Sequence, residues 1–415
     1  MARADGPAVV HIVKTDVGYQ LTREGEPYFV KGAGEWERLD EIKAAGANSF
    51  RTWGAARDGD YLDKAKLLGL TVTFGIWLGH KEHGFDYNNP QQVREQFEKS
   101  REIVLRYKDH PVLLIWGVGN EMEGVEGMED GWANPSVWKA VEDIVAMVKS
   151  LDPNHPAITV IAEFNQAKID AIKRYCPSLD ALGVNSYGAM ATVPARLKKC
   201  GWDKPYIITE AGPIGPWQTA KAPWGAPLEE SSTLKAYAYL TRYQAAVETQ
   251  RHWCLGSYVY FGGVEPTIVQ THTWYETFLP GSGEKLGAID AFTLSWTGHF
   301  PENRAPEIVY WSTDAALQEV APDSVHTGLV FARDPDGDGL RFAWEVREES
   351  RALTGPIPPL IPVAVNVDGP RVSFHAPQKE GPYRLFLYVF DGHAAAATAN
   401  MPFYVRRLNA AEKGK

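Results

Sequence analysis

The sequence is poor in cysteine, in long apolar runs and in net positive charge. Its three cysteines, Cys176, Cys200 and Cys254, are too few and too scattered for a disulfide framework or a cysteine-rich metal site. No stretch is long and apolar enough to span a bilayer, and the N-terminal residues lack a signal-peptide core. The formal net charge of −10 argues against nucleic acid or an acidic membrane surface as a partner.

What remains is an ordinary globular composition. The chain has 415 residues, 44% of them hydrophobic and 23% charged, which is enough for one barrel-sized domain and a smaller one. Eight strand-like segments alternate with helix-like segments up to about residue 300. A doubly wound sheet is the alternative, but no Gly-rich phosphate loop follows any of these strands. We therefore predict an α/β fold with a (β/α)8 TIM barrel over residues 1–300.

The pattern changes after residue 300. A polar, Pro-containing segment is followed by short alternating runs that are separated by Pro, Gly and Asp. This pattern predicts a small all-β, immunoglobulin-like sandwich over residues 301–415, with Trp344 in its core. The string DPDGDG (residues 334–339) looks like a calcium-binding loop, but we favour a tight hairpin turn there.

Two glutamates come at the ends of predicted buried strands. Glu121 closes the run HPVLLIWGVGNE, and Glu210 closes the strand in KPYIITEAG. A buried strand does not keep an unpaired carboxylate inside the core, so each glutamate is expected at the C-terminal mouth of the barrel. The interval of about 90 residues holds three βα repeats, which makes these the fourth and seventh strands. Two carboxylates at one mouth are the apparatus that cleaves a glycosidic bond.

The chain also resembles the clan A glycoside hydrolases, especially the barrel domain of family 2. The resemblance covers most of residues 25–300 and rests on four segments, which read PYFVKGAGE, IKAAGANSFRTWG, HPVLLIWGVGNE and KPYIITEAG. It implies that Glu121 is the acid/base, that Glu210 is the nucleophile and that Asn120 binds the sugar 2-hydroxyl.

Further positions match the clan less tightly. Arg51 resembles the arginine that keeps the nucleophile ionised, with a structural ion pair as the alternative. Tyr187 is expected to hydrogen-bond the nucleophile beside Asn185, although core packing is an equal alternative for this tyrosine. The clan often has a tryptophan at the end of the eighth strand, where this sequence reads SYVYFGG. Tyr260 or Phe261 would have to take its place.

Tryptophans near strand ends form another group of candidates, because aromatic faces stack on the CH-rich faces of sugars. We expect part of this set to line a substrate cleft and the rest to lie in the core. The set consists of Trp53, Trp77, Trp116, Trp217, Trp224 and Trp274.

Other ionisable residues near strand ends have weaker claims. For Glu35 and Glu163 we favour structural ion pairs over sugar binding. His80 and His83 have a three-residue spacing, but zinc would need a third ligand to which the sequence does not point. We therefore predict no metal and no cofactor.

These residues together predict a retaining β-glycoside hydrolase that acts on an oligosaccharide or polysaccharide by double displacement, with an endo-acting β-1,3-glucanase favoured. The alternatives are a β-glucan transglycosylase that uses the same two glutamates and a non-catalytic carbohydrate-binding protein on a barrel scaffold. The expected partner is a β-linked glycan, with no nucleic acid, membrane span or protein partner implied. We expect a secreted or periplasmic protein whose leader is absent from this sequence, and a cytoplasmic location stays open.

Overall fold

The computed structural model describes residues 6–34, 37–54, 60–124, 133–260, 268–350 and 352–407. Within these ranges no helix has both the length and the apolar character needed to cross a membrane. The chain divides into two compact units. The first comprises Met1–Ala211 and Thr241–Tyr260, and the second comprises Gly212–Leu240 and Phe261–Lys415. The boundary predicted at residue 300 falls inside the second unit and stays a prediction.

The first unit opens with a small antiparallel sheet of three strands. These are β1 (Val10–Thr15), β2 (Gly18–Arg23) and β3 (Glu26–Pro27). Glu24 and Gly25 turn the chain between β2 and β3 with positive φ angles of 55° and 80°, as a tight two-residue hairpin turn requires.

Eight parallel strands of the first unit then close into a barrel, which confirms the predicted TIM barrel. In chain order they are β4 (Val30–Gly34), β5 (Ser49–Arg51), β6 (Thr71–Ile76), β7 (Leu113–Asn120), β8 (Ala157–Ile161), β9 (Ala181–Asn185), β10 (Tyr206–Glu210) and β11 (Cys254–Tyr260). The fourth and seventh barrel strands are therefore β7 and β10, as the spacing of the two glutamates predicted. Every residue of β6 to β10 is buried, because parallel strands are covered on both faces.

In the described part of the chain an α-helix follows each of the eight barrel strands. These helices are α1 (Leu39–Ala44), α2 (Asp60–Leu68), α3 (Pro90–Tyr107), α4 (Pro135–Leu151), α5 (Gln166–Tyr175), α6 (Val193–Lys199), α7 (Ser232–Ala246) and α8 (Gly287–Thr297). Short 3-10 helices span Lys81–His83, Met190–Thr192 and Glu248–Gln250. The two longest helices, α3 and α4, each start with proline after a capping asparagine. The side chains of Asn89 and Asn134 accept hydrogen bonds from backbone nitrogens in the first turns of these helices.

The N-terminal sheet packs against the barrel end that lies opposite the site. Val10 and Leu21 from β1 and β2 are buried in one cluster with Leu114, Ile158 and Ile207, which lie in the first half of their barrel strands. This leaves the carboxyl ends of the strands as the end that carries the polar side chains described below.

The second unit carries strands that form two four-stranded sheets and one two-stranded ribbon. The strands are β12 (Ile268–Val269), β13 (Glu307–Thr313), β14 (Glu319–Val320), β15 (Val325–Arg333), β16 (Arg341–Glu348), β17 (Thr354–Gly355), β18 (Val365–Asp368), β19 (Arg371–His375), β20 (Gly381–Phe390) and β21 (Ala396–Val405). The sheet orders are β13-β15-β19-β18 and β14-β21-β20-β16, and β12 pairs with β17.

The two four-stranded sheets share one hydrophobic core. Val330 and Phe374 from one sheet and Val346 and Leu385 from the other belong to the same buried cluster, which also holds Trp344. The sheets therefore form a sandwich, and the predicted core position of Trp344 is confirmed. The all-β character is confirmed as well, while the immunoglobulin-like topology stays a prediction.

The DPDGDG string forms a turn between β15 and β16. The Oδ1 atom of Asp334 accepts hydrogen bonds from the backbone nitrogens of Asp336 and Asp338, at 2.8 and 3.2 Å. Such side-chain to backbone bonds are typical of Asp-rich turns. Carboxylate oxygens of Asp334, Asp338 and Asp391 lie within 4.8 Å of one another at this turn.

Candidate active site

Four barrel strands end in polar residues at one mouth of the barrel. Arg51, Asn120, Asn185 and Glu210 are the last residues of β5, β7, β9 and β10, and Glu121 follows Asn120 directly. Because the strands are parallel, their carboxyl ends meet at one face. The structure therefore brings together the five residues that the sequence analysis expected there.

Three donors hold the carboxylate of Glu210. The Nε1 atom of Trp53 and the Nη1 atom of Arg51 donate to Oε1 at 2.6 and 3.1 Å, and the hydroxyl of Tyr187 donates to Oε2 at 2.7 Å. With both oxygens bonded, the carboxylate has one fixed orientation. The hydrogen bond from Tyr187 decides between the two interpretations that the sequence left open for this residue.

The guanidinium of Arg51 connects the ends of four strands. It is only 2% exposed. In addition to Glu210, its Nη1 atom lies 2.8 Å from the carbonyl oxygen of Thr209 and 3.4 Å from Oδ1 of Asn185, while Nη2 donates to Oδ1 of Asn120 at 2.6 Å. A planar guanidinium with several donors suits this task better than an ammonium group would.

Glu121 is joined to the same network through Asn185, whose Nδ2 donates to Oε1 of Glu121 at 2.7 Å. The pKa of Glu121 is raised from its ordinary value to about 7, first by burial and second by the negative charge of Glu210. The hydrogen bond from Asn185 and the charge of Arg51 oppose this shift. Glu121 therefore keeps a proton at a pH where an exposed glutamate has lost it.

The backbone at Glu121 is strained. Its φ is 54°, in the left-handed region that non-glycine residues rarely adopt, and Gly119, two residues earlier, has φ of 73°. The pairing of β7 with β8 shifts register between Gly117 and Asn120, and the backbone nitrogen of Glu121 donates to Val160. Strain of this kind is concentrated at functional sites, where the surrounding structure enforces it.

The two amide side chains of the network orient each other. Asn185 donates to Oδ1 of Asn120 at 3.2 Å and accepts from the hydroxyl of Thr209 at 2.7 Å. The Oδ1 atom of Asn120 is thereby held by Arg51 and Asn185 together. The contact of Asn120 with a sugar 2-hydroxyl stays a prediction.

Aromatic rings stand around the Glu210 carboxylate. Tyr260 makes edge contacts with Trp53 and Tyr187, with ring centroids 6.1 and 6.3 Å apart. Tyr260, at the end of the eighth barrel strand, therefore lies beside the residues that hold Glu210. This is the position at which the sequence predicts Tyr260 or Phe261 in place of the tryptophan of the clan. Phe261 and Glu35 lie outside the described residues.

The tryptophans that were predicted to stack on sugars differ in their exposure to solvent. Trp77 is 47% exposed and stacks on His80 with centroids 5.0 Å apart, so a face of its indole is open to a ligand. Trp116 is a core residue whose indole donates to Asp152. Trp274 is 1% exposed and donates to the carbonyl of Ile214. Its faces are covered, which corrects the expectation that it stacks on substrate.

Trp217 and Trp224 lie in the second unit. Trp217 is 53% exposed, and the ring of Trp224 lies 5.8 Å from that of Tyr404. Their participation in a substrate cleft stays a prediction.

Two further carboxylates lie near the mouth. Glu163 accepts from the hydroxyl of Ser186 at 2.6 Å and pairs with Arg196 at 2.5 Å, which supports the favoured structural interpretation.

Glu123, two residues after Glu121, was not among the residues predicted from the sequence. It is fully buried, accepts a hydrogen bond from the backbone nitrogen of Ala162, and has its pKa raised to about 8 by burial. The sequence offers no signal for this burial beyond the nearness of Glu123 to Glu121.

Comparison with known proteins agrees with this geometry. Residues 40–214 match the model of the family described as Glycosyl hydrolases family 2, TIM barrel domain. The β-glucuronidase of Rattus norvegicus is 28% identical over 179 residues, which cover 41% of this chain and 25% of that protein. A probable mannan endo-1,4-beta-mannosidase C of Aspergillus terreus is 28% identical over 127 residues, or 29% of this chain and 30% of that protein.

The fold comparison points the same way. The structure of β-glucuronidase 2 of Bacteroides uniformis matches with a TM-score of 0.51 and 12% identity, covering 96% of this chain and 48% of that one. At this identity the likeness concerns the fold alone. The aligned residues span about a quarter of the curated β-glucuronidases and about half of the solved one. The closed barrel of this chain is similar, over residues 40–214, to the TIM barrel domain of family 2 glycosyl hydrolases.

Proposed function

We propose that the chain is a retaining β-glycoside hydrolase. The observation that carries this proposal is the contrast between two carboxyl groups in one hydrogen-bond network. Glu210 accepts from three donors, one of them cationic, whereas desolvation and the negative charge of Glu210 raise the pKa of Glu121 to about 7. A pair of carboxyl groups with opposed environments is how glycosidases divide the roles of nucleophile and acid.

The reaction follows from these roles. The Glu210 carboxylate attacks the anomeric carbon while Glu121 gives its proton to the departing glycosidic oxygen, which leaves a glycosyl ester on Glu210. Glu121, now a carboxylate, then takes a proton from a water molecule that attacks the same carbon. The ester bond breaks, and the product keeps its β configuration while both carboxyl groups return to their starting states.

We propose a neutral β-linked glycan as the substrate. The relatives named above are, by their names, β-glucuronidases and a mannanase, so they lend no support to the β-1,3-glucan preference, which stays a prediction. A uronic acid needs a cation, and among the described residues the cation that hydrogen-bonds the Glu210 carboxylate is Arg51, whose buried guanidinium is already paired with it.

A substrate panel tests this function. It would combine nitrophenyl β-glycosides, including the glucuronide, with pentasaccharides and polymers of β-1,3-glucan, β-1,4-mannan and β-galactan. We expect hydrolysis with the β anomer as the first product in NMR spectra. Glu210→Gln and Glu121→Gln should each lower kcat by at least about a thousandfold.

Glu163→Gln serves as the matched control, because this carboxylate also follows a barrel strand but is paired structurally. Full activity of Glu210→Gln, or an α anomer as the first product, would refute the proposal. Products longer than the supplied oligosaccharide would support the transglycosylase alternative.

A further inference from the structure

A cavity of about 580 Å³ lies in the first unit beside the acid/base. One wall comes from the segment between residues 79 and 88, which follows β6. The opposite wall comes from Met122 and Gly124 after β7, together with the start of α4. The volume falls within the range of small-ligand sites.

The cavity is lined by the residue that directly follows the acid/base. Met122 directly follows Glu121, so the same short segment carries the proton donor and a wall of the cavity. In double displacement the acid must reach the glycosidic oxygen, and the leaving group therefore sits beside the acid rather than beside the nucleophile. A ligand portion in this cavity is accordingly the portion that leaves.

The segment that forms the first wall is held in place. The hydroxyl of Tyr87 donates to the carbonyl oxygen of Gly79 at 2.7 Å, and the backbone nitrogen of Gly79 donates to the side chain of Gln96 in α3 at 2.7 Å. These bonds tie both ends of the segment to each other and to a long helix. This wall of the cavity is thus preformed, which lowers the ordering cost of binding.

One ring nitrogen of His80 lacks a hydrogen-bond partner among the described residues. His80 lines the cavity, is 7% exposed, and its Nδ1 lies 3.1 Å from the carboxylate of Glu82. Its Nε2 is buried and has no hydrogen-bond partner among the described residues. With Nδ1 donating to Glu82, the lone pair of a neutral imidazole is on Nε2, ready to accept from a hydroxyl group.

The surroundings of His80 suit a sugar. Trp77, which lies just before the lining segment, stacks on the imidazole and is 47% exposed, and an aromatic face near a hydrogen-bond acceptor matches the two kinds of surface on a pyranose. The lining carries the carboxylates of Glu82 and Asp86 and the ammonium of Lys81. Because negative charges outnumber positive ones among the described lining residues, these residues favour a neutral sugar over a uronic acid.

We propose that this cavity is the subsite for the leaving group and that it takes a neutral sugar unit, one hydroxyl of which donates to Nε2 of His80. The proposal rests on the proposed function and makes it more specific. The preferred substrate is a glycan with sugars on both sides of the cleaved bond, not a sugar conjugated to a small aglycone.

The test compares two substrates in three variants. His80→Phe keeps a ring for Trp77 to stack on but removes the acceptor, His80→Gln keeps an acceptor, and His83→Phe is the control. His83 is an exposed neighbour that does not line the cavity. Each variant is assayed on the best-cleaved pentasaccharide of the panel and on the nitrophenyl glycoside of the same sugar, with thermal melting as a check of folding.

We expect His80→Phe to lower kcat/KM about tenfold on the pentasaccharide and to leave the nitrophenyl glycoside within about twofold. His80→Gln should recover part of the loss, and His83→Phe should match the parent protein on both substrates. An equal loss on both substrates, or none on the pentasaccharide, would overturn the proposal.

A binding measurement separates this proposal from the proposed function. Calorimetric titration of the three pentasaccharides into Glu210→Gln, with and without His80→Phe, needs no turnover. We expect Glu210→Gln to bind one of the pentasaccharides and expect its affinity for that pentasaccharide to fall about tenfold when His80→Phe is added. An affinity that His80→Phe leaves unchanged, or no binding of any of the three pentasaccharides, would overturn the subsite. If Glu210→Gln kept the activity of the parent protein in the hydrolysis assays, the proposed function would be overturned instead.

Discussion

The indole nitrogen of Trp53 donates a hydrogen bond of 2.6 Å to Oε1 of Glu210. This bond is shorter than the one from the guanidinium of Arg51 to the same oxygen, at 3.1 Å. Trp53, expected from the sequence to stack on a sugar, thus also orients the nucleophile. Its second role gives the residue a measurable effect on the chemical step.

Replacement of Trp53 by phenylalanine should slow catalysis. Trp53→Phe keeps an aromatic ring beside Tyr260 but removes the N–H donor, and a hydrogen bond to a charged group contributes about 1.5–3 kcal/mol. We expect kcat to fall by about tenfold to a hundredfold with a smaller change in KM. Trp77→Phe is the control, because the donors to Glu210 in the described part of the site are Arg51, Trp53 and Tyr187 and do not include Trp77. Equal kcat values for the two variants would contradict this role of Trp53.

The pH dependence of kcat/KM should report the proton on Glu121. The first step needs protonated Glu121, whose pKa is raised to about 7, so activity is retained below this pH and falls about tenfold per pH unit above it. The hydrogen bond from Asn185 lowers the pKa of Glu121. Asn185→Ala should therefore move the basic limb of the profile to higher pH.

Asn89→Ala is a suitable control for this shift, because Asn89 caps α3 away from the carboxylates. Its profile should have the limb of the parent protein. If the limb of Asn185→Ala stayed in place or moved to lower pH, the assignment of the limb to Glu121 would be wrong.

The pair of Arg51 and Glu210 should show strong coupling in stability. Both side chains are buried, and removal of one partner leaves a buried charge unpaired. We expect Arg51→Met to lower the free energy of unfolding by about 3–5 kcal/mol, and addition of Glu210→Gln to restore part of the loss. Urea denaturation of the two single variants and the double variant measures the coupling. Additive losses would mean that the ion pair contributes little.

Much of this site is predictable because a βα repeat determines where each strand end lies around the barrel. Glu121 and Glu210 each follow a short apolar run, and the number of repeats between them places them at one mouth. The bounds of α3 are predictable for a local reason, since Asn89 caps a helix that begins with Pro90.

The remainder depends on side-chain directions that no local pattern encodes. The bond between Trp53 and Glu210 joins residues 157 positions apart, so the sequence suggested an aromatic platform and not a donor. Trp274 follows a loop in the sequence, yet its ring is enclosed. Glu123 sits in a short segment without periodicity, and its burial arises only when β8 comes alongside.

Glu123 should make the protein less stable as the pH rises. Burial raises its pKa in the folded protein from the ordinary value of 4.5 to about 8. Between these two values the unfolded chain releases a proton that the folded protein keeps, so the unfolded state is favoured increasingly as pH rises through the window. Glu123→Gln resembles the protonated group and has no proton to release. Relative to the parent protein, this variant should therefore gain stability between pH 5 and pH 8 in urea denaturation. Glu163→Gln, which removes a carboxylate paired with Arg196, should show no such gain, and a gain of equal size in both variants would exclude Glu123 as the cause.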